Sequence, residues 1–578
     1  MFNPSHLLGI FSAFNASHFE TLDFTALAAA AQPNRLGGVV QMRPFSIKDG
    51  GVDSLAQRER KVEGAELNVG PMSSQGTIRV RPNGKLLFVA SARQAYMNLL
   101  YGKWLDFDGS PLRYSFGDYN VTLSYRPSMR HRFDLNAYFG QDRASYTEGA
   151  HLMHVRLNWL NYAAEASWRV MDKSWQLTQR LVASGYQNDF RLRQAGQKMS
   201  LPSHIRQYGY QAEWSCNSWQ IGGSYSLYQI LPQSPQIEST YTQIETDRQE
   251  KGVAHEANVY AGWQYGWHDG QWVLKPEGRV TYYRDVDQKS WFSISPMLTL
   301  SWQAAPQHRL GVQLSVANQY VQQTGFTSLG LPTEFWFSAS HELKPQRAEG
   351  LSLLYDGQTP NNAWAFTANA YVKRLHHQKE YKDNVLDLIN EAYSLNKSLL
   401  QGRGLNYGFG VQLTRQSGPV TGWVGYAFGR SLRKFPELRE RSSYPANHER
   451  VHEFNLVATW QALKRVTFTC SAVFASGTPF TSANEFYLMN GYVVAQYGKH
   501  NGCHLPWYKR VDMAVNVDLK QKRQRHFRHG FNVSLFNAFG FNNPLFYRLR
   551  IRRDGNFRFA PVCFLKYPLP SFSYYIKY

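Results

Sequence analysis

Apolar and polar residues alternate with a period of two over long stretches of the chain. The clearest stretches are 119–125, 308–319, 453–460 and 511–520. Successive side chains of a β-strand point to opposite faces, so this alternation predicts amphipathic β-strands. The longest of these patterns run for about twice the usual length of a sandwich strand. The alternation therefore favours a transmembrane β-barrel, in which apolar side chains face lipid and polar side chains face the lumen.

The same alternation predicts which side of the wall each position faces. In 310–316 and 454–460 the even-numbered residues are all apolar, whereas most of the odd-numbered residues are small or polar. We therefore expect the even-numbered side chains of both segments to contact lipid and the odd-numbered ones to face the lumen.

The connections between the predicted strands alternate between short and long. Short polar turns are predicted near 82–84, 127–130, 172–173, 217–218, 268–270, 304–307, 360–362, 417–420, 463–464 and 522–524. The other connections are mostly longer and fall at 95–115, 143–152, 188–203, 232–252, 286–290, 323–345, 378–402, 433–449, 478–508 and 540–570, with a very short one near 71–73. Tight periplasmic turns and long outer loops are typical of outer-membrane barrels. The count predicts about 22 strands around a lumen that is normally plugged.

Composition removes the competing classes. Charged residues make up 18% and aromatic residues 15% of the 578 residues, which excludes a disordered chain. Four cysteines are too few for a disulfide scaffold. A mean hydropathy of -0.47 and the lack of a long apolar run argue against membrane-spanning helices. The net charge of +21 is spread along the chain, which favours contact with anionic lipid headgroups and lipopolysaccharide over nucleic acid.

Polar residues on the predicted inward faces are the candidate site residues. They are Asp118, Asn120, Asp134, Asn136, Asp512, Asn516 and Asp518. Solvation of a wet lumen and contact with a plug explain such residues as well as a direct contact with a ligand does. The last strand is predicted to close the barrel, with Phe572, Tyr574, Ile576 and Tyr578 on its outer face.

No motif predicts catalysis, a cofactor or a metal. Residues 448–452 match the zinc-peptidase pattern H-E-x-x-H, which requires a helix to bring both imidazoles to one ion. Here the pattern runs into a predicted strand, where positions i and i+4 lie about 13 Å apart. His376 and His377 would point to opposite faces of a strand. The glycines of 402–410 do not form a phosphate-binding loop.

Residues 1–61 contain no segment like a barrel strand and are predicted to form a separate unit before a barrel of residues 62–578. They resemble the late plug region of TonB-dependent outer-membrane receptors of the type common in Bacteroidetes, in the segment 3–15 (NPSHLLGIFSAFN) and in Arg35, Gly37 and Gly38. Further along, the segments 88–96, 118–120, 404–408, 421–426, 476–480 and 510–512 are similar to strands of that family, as are the pairs 444–445, 536–537, 543–544 and 570–571. The order of these segments is more specific than any one of them.

The resemblance implies an outer-membrane receptor that takes up a scarce, bulky ligand, such as a siderophore, cobalamin, a glycan or a peptide. It implies a TonB complex as the partner that supplies energy. Arg35 precedes the glycines where the family usually carries an aromatic residue, two glycines and an arginine. The chain also matches only the end of the family's plug, so we expect an N-terminally truncated receptor. A passive channel, a non-functional fragment and a barrel that handles lipopolysaccharide remain alternatives.

Overall fold

The computed structural model describes most of the chain. The described residues are 1–3, 5–6, 14–25, 29–47, 62–99, 101–102, 106–107, 110–148, 153–194, 197–233, 236–239, 251–325, 334–381, 395–436, 442–489, 492–520, 527–551, 557–563 and 567–578. Among these residues, none of the helices is long and apolar enough to cross a membrane. The helical elements described are a 3₁₀ turn, Ala16–His18, and α1, Leu395–Ser398.

Strands account for most of the described chain. In order, they are β1 (Phe19–Thr25), β2 (Val39–Pro44), β3 (Val62–Val69), β4 (Ser73–Asn83), β5 (Leu86–Ala95), β6 (Asp106–Phe107), β7 (Ser110–Tyr125), β8 (His131–Glu148), β9 (Met153–Met171), β10 (Trp175–Gln194), β11 (Gln197–Cys216), β12 (Trp219–Leu231), β13 (Gln236–Ser239), β14 (Gly252–Trp263), β15 (Tyr265–Trp267), β16 (Trp272–Arg284), β17 (Ser290–Ala305), β18 (His308–Gln319), β19 (Val321–Thr324), β20 (Phe335–Ser338), β21 (Gln346–Gln358), β22 (Trp364–Tyr381), β23 (Leu399–Arg415), β24 (Val420–Lys434), β25 (Tyr444–Pro445), β26 (His452–Leu463), β27 (Val466–Ala475), β28 (Pro479–Phe480), β29 (Ala483–Met489), β30 (Tyr492–Tyr497), β31 (Cys503–His504), β32 (Tyr508–Asp518), β33 (Arg528–Phe536), β34 (Pro544–Ile551), β35 (Phe557–Cys563) and β36 (Leu569–Lys577).

The strands form a closed antiparallel barrel, as the alternation predicted. Its wall has 22 main strands, and the short strands β6, β13, β15 and β25 extend it locally. The wall begins with β3 at Val62, and β36 pairs with both β33 and β3. The register of the last pair runs from Glu66 opposite Lys577 to Val69 opposite Tyr574, which joins the two ends of the sheet. A barrel closed in this way leaves no edge strand exposed.

Nine of the ten predicted short turns separate consecutive wall strands in the structure. The tenth, at 522–524, lies outside the described residues.

Two of the predicted outer connections are wrong in extent. Most of 143–152 is strand, because β8 continues to Glu148, and most of 188–203 belongs to β10 and β11. In these parts of the strands the apolar residues point inward, where Phe190 and Met199 pack against the buried Leu201, while outward positions such as Arg191 and Arg193 are polar. The alternation is therefore the reverse of the one that lipid imposes on the wall.

The outer surface carries the apolar faces of the strands. Leu310, Val312 and Leu314 on β18 are among the exposed hydrophobic side chains, and so are Phe454 and Trp460 on β26. The residues between them are less exposed and point toward the lumen. This arrangement agrees with the predicted lipid-facing sides of both strands.

Candidate functional site

The described residues of 1–47 are here called the N-terminal segment. Several of them contact the inner face of the barrel, whereas the hairpin of β1 and β2 is largely exposed. Phe2 is 1% exposed, and its ring meets Trp336 edge-on with the centroids 5.0 Å apart. The indole Nε1 of Trp159 on β9 donates a hydrogen bond to the carbonyl oxygen of Ser5 at 3.3 Å. Asn161 on the same strand donates to the carbonyl oxygen of Asn3 at 3.0 Å. The start of the chain is therefore held inside the lumen by inward side chains of the wall.

His6 is the first charged anchor of this segment. It is 3% exposed and lies between carboxylates of two adjacent wall strands. Its Nδ1 is 2.9 Å from Oδ1 of Asp142 on β8, and its Nε2 is 3.1 Å from Oδ2 of Asp118 on β7. Arg93 on β5 donates to the same Asp118 oxygen, from Nε at 3.0 Å and from Nη2 at 2.5 Å. We call these four residues the His6 network.

Two tyrosine hydroxyls complete the hydrogen bonding of the His6 network. Tyr138 donates to Oδ1 of Asp118 at 2.8 Å, and Tyr114 donates to Oδ2 of Asp142 at 2.6 Å. A buried charge is tolerated when it is paired and its remaining lone pairs are satisfied. The network meets this condition and joins three wall strands to the N-terminal segment.

Charge balance in the His6 network favours a protonated imidazole. Two carboxylates face a single guanidinium, so an imidazolium makes the buried group electrically neutral. Burial by itself lowers the pKa of His6, but hydrogen bonds from the ring to Asp118 and Asp142, together with their negative charges, outweigh burial and raise the pKa above 6.5. The opposing cation is Arg93, whose Nη2 lies 3.3 Å from Nε2 of His6.

The raised pKa of His6 predicts that docking of the N-terminal segment weakens at high pH. Stabilisation by such a group is fully present below the unfolded pKa of 6.5 and is lost as the pH rises through the higher folded pKa. We expect amide hydrogen exchange in 14–25 to accelerate, beyond its intrinsic pH dependence, as the pH rises above about 6.5.

Two variants separate this effect from general titration. His6→Gln should remove the extra pH dependence. His131→Gln should leave it intact, because that ring stacks on Trp168 away from the lumen. A variant H6Q with the same pH profile as the unmodified protein would contradict the assigned role of His6.

A second histidine docks by neutral hydrogen bonds. His18 is 2% exposed, with Nδ1 at 2.9 Å from the hydroxyl of Ser91 on β5 and Nε2 at 3.0 Å from the hydroxyl of Thr122 on β7. Burial lowers the pKa of His18 to about 4, so the ring is neutral at neutral pH. One ring nitrogen then donates and the other accepts, and each hydroxyl suits either role.

A second region of the wall holds the segment through Asn34, which is 5% exposed. Its Nδ2 donates to Oε1 of Glu256 on β14 at 3.0 Å, and its Oδ1 accepts from Nη1 of Arg279 on β16 at 2.7 Å. Nη2 of Arg279 donates to the carbonyl oxygens of Ala30 and Gln32. Nζ of Lys373 on β22, eleven main strands from β7, donates to the carbonyl oxygen of Leu36 at 3.2 Å. The N-terminal segment therefore spans the lumen.

Removing the side chain of Asn34 should loosen this second anchor. Asn34→Ala leaves the buried Arg279 and Glu256 each without one partner, which costs about 1–3 kcal/mol. We expect faster hydrogen exchange in 29–47 in this variant. Gln41→Ala, at an exposed position of β2, is the matched control and should leave exchange unchanged. Equal protection in both variants would show that Asn34 does not hold the segment.

Arg35, Gly37 and Gly38 lie next to this anchor. The guanidinium of Arg35 is 5.6 Å from the ring centroid of Trp336, a cation–π contact. Gly38 has a φ of +117°, and a Cβ there would lie 2.7 Å from the carbonyl oxygen of Thr25, so only glycine fits. At Gly37 a Cβ would meet nothing within 4 Å. The backbone N–H of Leu36, which lies between Arg35 and Gly37, donates a hydrogen bond to Oε1 of Gln319 at 3.0 Å.

A hairpin from an outer connection folds into the lumen above the segment. Strands β19 and β20 pair with each other and not with the wall, and Phe335 and Phe337 on β20 are 0% and 2% exposed. Trp336, between them, meets both Phe2 and Arg35. The hairpin therefore packs directly on the N-terminal segment.

Inward-facing aromatic rings surround this contact near the strand ends that are remote from the short turns. The buried cluster includes Tyr114, Trp159, Tyr186, Tyr228, Tyr283 and Tyr320, together with Phe2 and Trp336. Tyr283 and Tyr320 stack with their centroids 4.6 Å apart. We call these six wall residues the aromatic collar. Its rings present large apolar faces with hydroxyl or N–H groups at their edges.

The structure brings four of the predicted candidate residues to the wall that holds the segment. Asp118 and Asn120 on β7 and Asp134 on β8 are 0%, 2% and 9% exposed, and the side chain of Asn136 accepts a hydrogen bond from Thr122 at 2.9 Å. Asp118 belongs to the His6 network.

Asp134 is linked to the segment through an arginine of its own strand. It accepts a hydrogen bond from Nε of Arg132 at 2.8 Å, and Nη1 of Arg132 donates to the carbonyl oxygen of Ile47 at 3.1 Å. This contact ties the end of the described N-terminal segment to β8.

The other three candidates lie apart, on β32 beside the closing seam. Asp512 pairs with Arg510 at 3.0 Å, and Asn516 accepts a hydrogen bond from Asn532 at 2.7 Å.

Asp518 accepts a hydrogen bond from Nε of Arg528 at 3.0 Å and one from the hydroxyl of Tyr575 at 2.5 Å. Tyr575 is an inward residue of the last strand, whereas Phe572 and Tyr578 are exposed and Tyr574 and Ile576 are half-buried. These hydrogen bonds join β32, β33 and β36 next to the seam.

Sequence reasoning missed the residues that make the anchors. His18, Asn34 and Arg279 lie outside the quoted motifs, and His6 lies within the family-like segment 3–15 but was not singled out there. Their partners lie 73 to 249 positions away along the chain. The one available signal was a charged or amide residue at an inward position of a predicted strand. Such a signal selects candidates on the wall but does not pair them with the segment.

The histidine pattern at 448–452 is not helical in the structure. His452 is the first residue of β26, and His448 precedes that strand. Glu449, 3% exposed, accepts hydrogen bonds from the backbone nitrogen of Ser431 at 2.6 Å and from Arg430 at 3.2 Å. Across the described ranges no group of three or more His, Cys, Asp or Glu side chains is placed to hold a metal ion.

Comparisons with known proteins agree with the barrel geometry. A family model described as TonB dependent receptor-like, beta-barrel matches residues 86–543. A comparison with curated protein sequences gave no match.

Several solved structures share the fold. The siderophore receptor PiuA from Acinetobacter baumannii superposes with a TM-score of 0.65 at 9% identity, over 97% of this chain and 86% of that one. The ferripyoverdine receptor of Pseudomonas aeruginosa gives 0.64 at 9% identity, over 97% and 76%. The ferric-catecholate import receptor Fiu from E. coli K12 gives 0.63 at 10% identity, over 97% and 86%.

Proposed function

This chain belongs to the TonB-dependent receptor β-barrel family, and on that premise we propose that it takes up a scarce, bulky ligand across the outer membrane with energy supplied through TonB. The closed 22-strand barrel places it in the outer membrane. A lumen of this width leaks small solutes unless something fills it. The observation that carries the proposal is the N-terminal segment, which is anchored across that lumen.

We propose that residues 1–61 are part of a plug and that residues 62–578 form the barrel. The anchors described above support this division, since they tie the segment to separate regions of the wall through side chains and not through the sheet. Such docking suits a plug that stays in place at rest and moves when TonB pulls on it, because each anchor is a small group of side-chain contacts that can break independently of the others. We also propose that the protein is a receptor of the type common in Bacteroidetes, which its sequence resembles.

The aromatic collar lies on the side of the long connections, and its residues are at most 3% exposed because they pack with Phe2 and Trp336. We propose that these rings contact the ligand when the N-terminal segment and the hairpin move. Two of the proteins with similar structures are a receptor for ferripyoverdine and an import receptor for ferric catecholate. For this chain the ligand class stays broad: a ferric siderophore, cobalamin, a glycan or a peptide.

Two alternatives make different demands on the same structure. A passive channel needs an open lumen, whereas the anchors close part of it. A barrel that handles lipopolysaccharide needs a lateral opening for lipid, whereas β3 and β36 are paired here. Both points favour the receptor.

A ligand screen tests the proposal. The purified protein is titrated with ferric siderophores, cobalamin, oligosaccharides and peptides while tryptophan fluorescence is followed. One class should bind saturably, and Tyr283→Ala, which removes a ring of the collar, should weaken that binding. Trp460→Ala, on the lipid-facing side, is the control. If no class binds and the protein conducts freely in a bilayer, the passive channel replaces the receptor.

A further inference from the structure

A row of basic residues crosses four adjacent wall strands on the outer surface. Arg347 on β21 is paired in register with His376 on β22, His376 with Arg403 on β23, and Arg403 with Lys434 on β24. Arg347, Arg403 and Lys434 are exposed and His376 is half-buried. We call these four residues the basic row.

The neighbours of the basic row show that it faces away from the lumen. Ala348, Leu375 and Arg433 alternate with row residues along their strands and are 6%, 5% and 9% exposed. Because successive side chains point to opposite faces, the row residues point outward. The row therefore belongs to the surface that the barrel presents to its surroundings.

The row lies where the apolar band of the wall ends. On β22 the outward residues from Trp364 to Val372 include three exposed apolar side chains, and they span about 26 Å along the strand at 3.3 Å per residue. At a strand tilt of about 40° this corresponds to about 20 Å of height, which lies within the ~25 Å lipid-facing band of such barrels. Arg374 is the next outward residue and His376 follows it. Trp364 adjoins a short turn, so the row is at the opposite end, on the outer-leaflet side.

Folding alone does not account for this arrangement. Like charges directly opposite each other on neighbouring strands lie about 5 Å apart and destabilise a sheet. In the part of the chain that the structure describes, ion pairs of the row go to Glu349, which is 3.1 Å from Arg347 and 3.7 Å from His376. Among the described residues, neither Arg403 nor Lys434 has a carboxylate within ion-pair distance, and the exposed Arg374 adds to the positive charge.

We propose that the basic row binds the phosphate groups of lipopolysaccharide in the outer leaflet. Its guanidinium groups match the geometry of phosphate oxygens, and lysine adds a point charge. The apolar side chains just beneath it, Val372, Leu405 and Leu351, are exposed and are available to the acyl chains of the same molecule. A lipid that carries both phosphate and acyl chains satisfies the two surfaces together.

The test measures lipopolysaccharide binding to the full-length protein in detergent, after bound lipid has been exchanged away. The triple variant R347Q/R403Q/K434Q is compared with R130Q/K173Q/R415Q, which removes three cations at the short-turn end of the barrel. Each cation near an anionic membrane surface contributes roughly five-fold to affinity. The first variant should therefore bind lipopolysaccharide about a hundred-fold more weakly than the unmodified protein, and the second should lose little affinity. Glu349→Gln should strengthen binding several-fold. Unchanged unfolding midpoints establish that the variants are folded.

Chemically altered ligands identify what the row recognises. Dephosphorylated lipopolysaccharide should bind the unmodified protein as weakly as intact lipopolysaccharide binds the triple variant, and raised salt should narrow the difference. Equal affinity for phosphatidylglycerol, or competition by inorganic phosphate alone at the same strength, would overturn the assignment to lipopolysaccharide. Equal losses in the two triple variants would overturn the role of the row itself.

Discussion

Replacing Asp118 by alanine is expected to destabilise the folded protein by about 3–5 kcal/mol, because it leaves a buried guanidinium without its carboxylate. Asp118 is 0% exposed and accepts from Arg93, His6 and Tyr138. The loss should appear as a shift in the urea midpoint of the protein in detergent micelles. Asp356→Ala, at an exposed position of β21, is the control and should change the free energy of unfolding by less than about 0.5 kcal/mol.

The same substitution should undock the N-terminal segment before the wall unfolds. The His6 network is the charged link between the segment and β5, β7 and β8, beside the neutral hydrogen bonds of His18, whereas the wall keeps its backbone hydrogen bonds. A protease added to the D118A variant should cleave within 1–47 under conditions in which the barrel stays intact. If both variants resist cleavage equally, the His6 network does not hold the segment.

Replacing Leu314 by arginine should cost about 2–4 kcal/mol, because the side chain lies on the apolar outer face of β18 and would place a charge in the hydrocarbon layer. Ser315→Arg, one residue along the same strand, should cost much less because its side chain points to the lumen. Reversible unfolding from phospholipid vesicles measures both. Equal costs would contradict the assignment of faces.

The wall could be predicted because a membrane imposes one rule on every strand that crosses it. β18 obeys that rule over 310–316 and β26 over 454–460, so their existence and lipid-facing side follow from alternation. The rule stops at the membrane surface. The upper halves of β10 and β11, whose apolar residues point inward, were for that reason mistaken for a long connection.

Of the candidate site, only the residues on the barrel wall could be predicted from the sequence. Asp118 stands out as a carboxylate on an inward face, and its position in β7 follows from the pattern. Its partner His6 does not, because it lies 112 residues earlier in a segment without periodic structure. Which histidine of the segment meets which carboxylate depends on how the segment docks, and no local property of the sequence encodes that docking.

Energy-dependent accumulation of the bound ligand tests the central claim most directly. Cells that carry the protein and a labelled ligand from the binding screen are compared with and without functional TonB. An energised receptor predicts saturable accumulation that requires TonB, while surface binding persists without it. Accumulation that rises linearly with concentration and is the same in both strains would contradict the account and identify a passive channel.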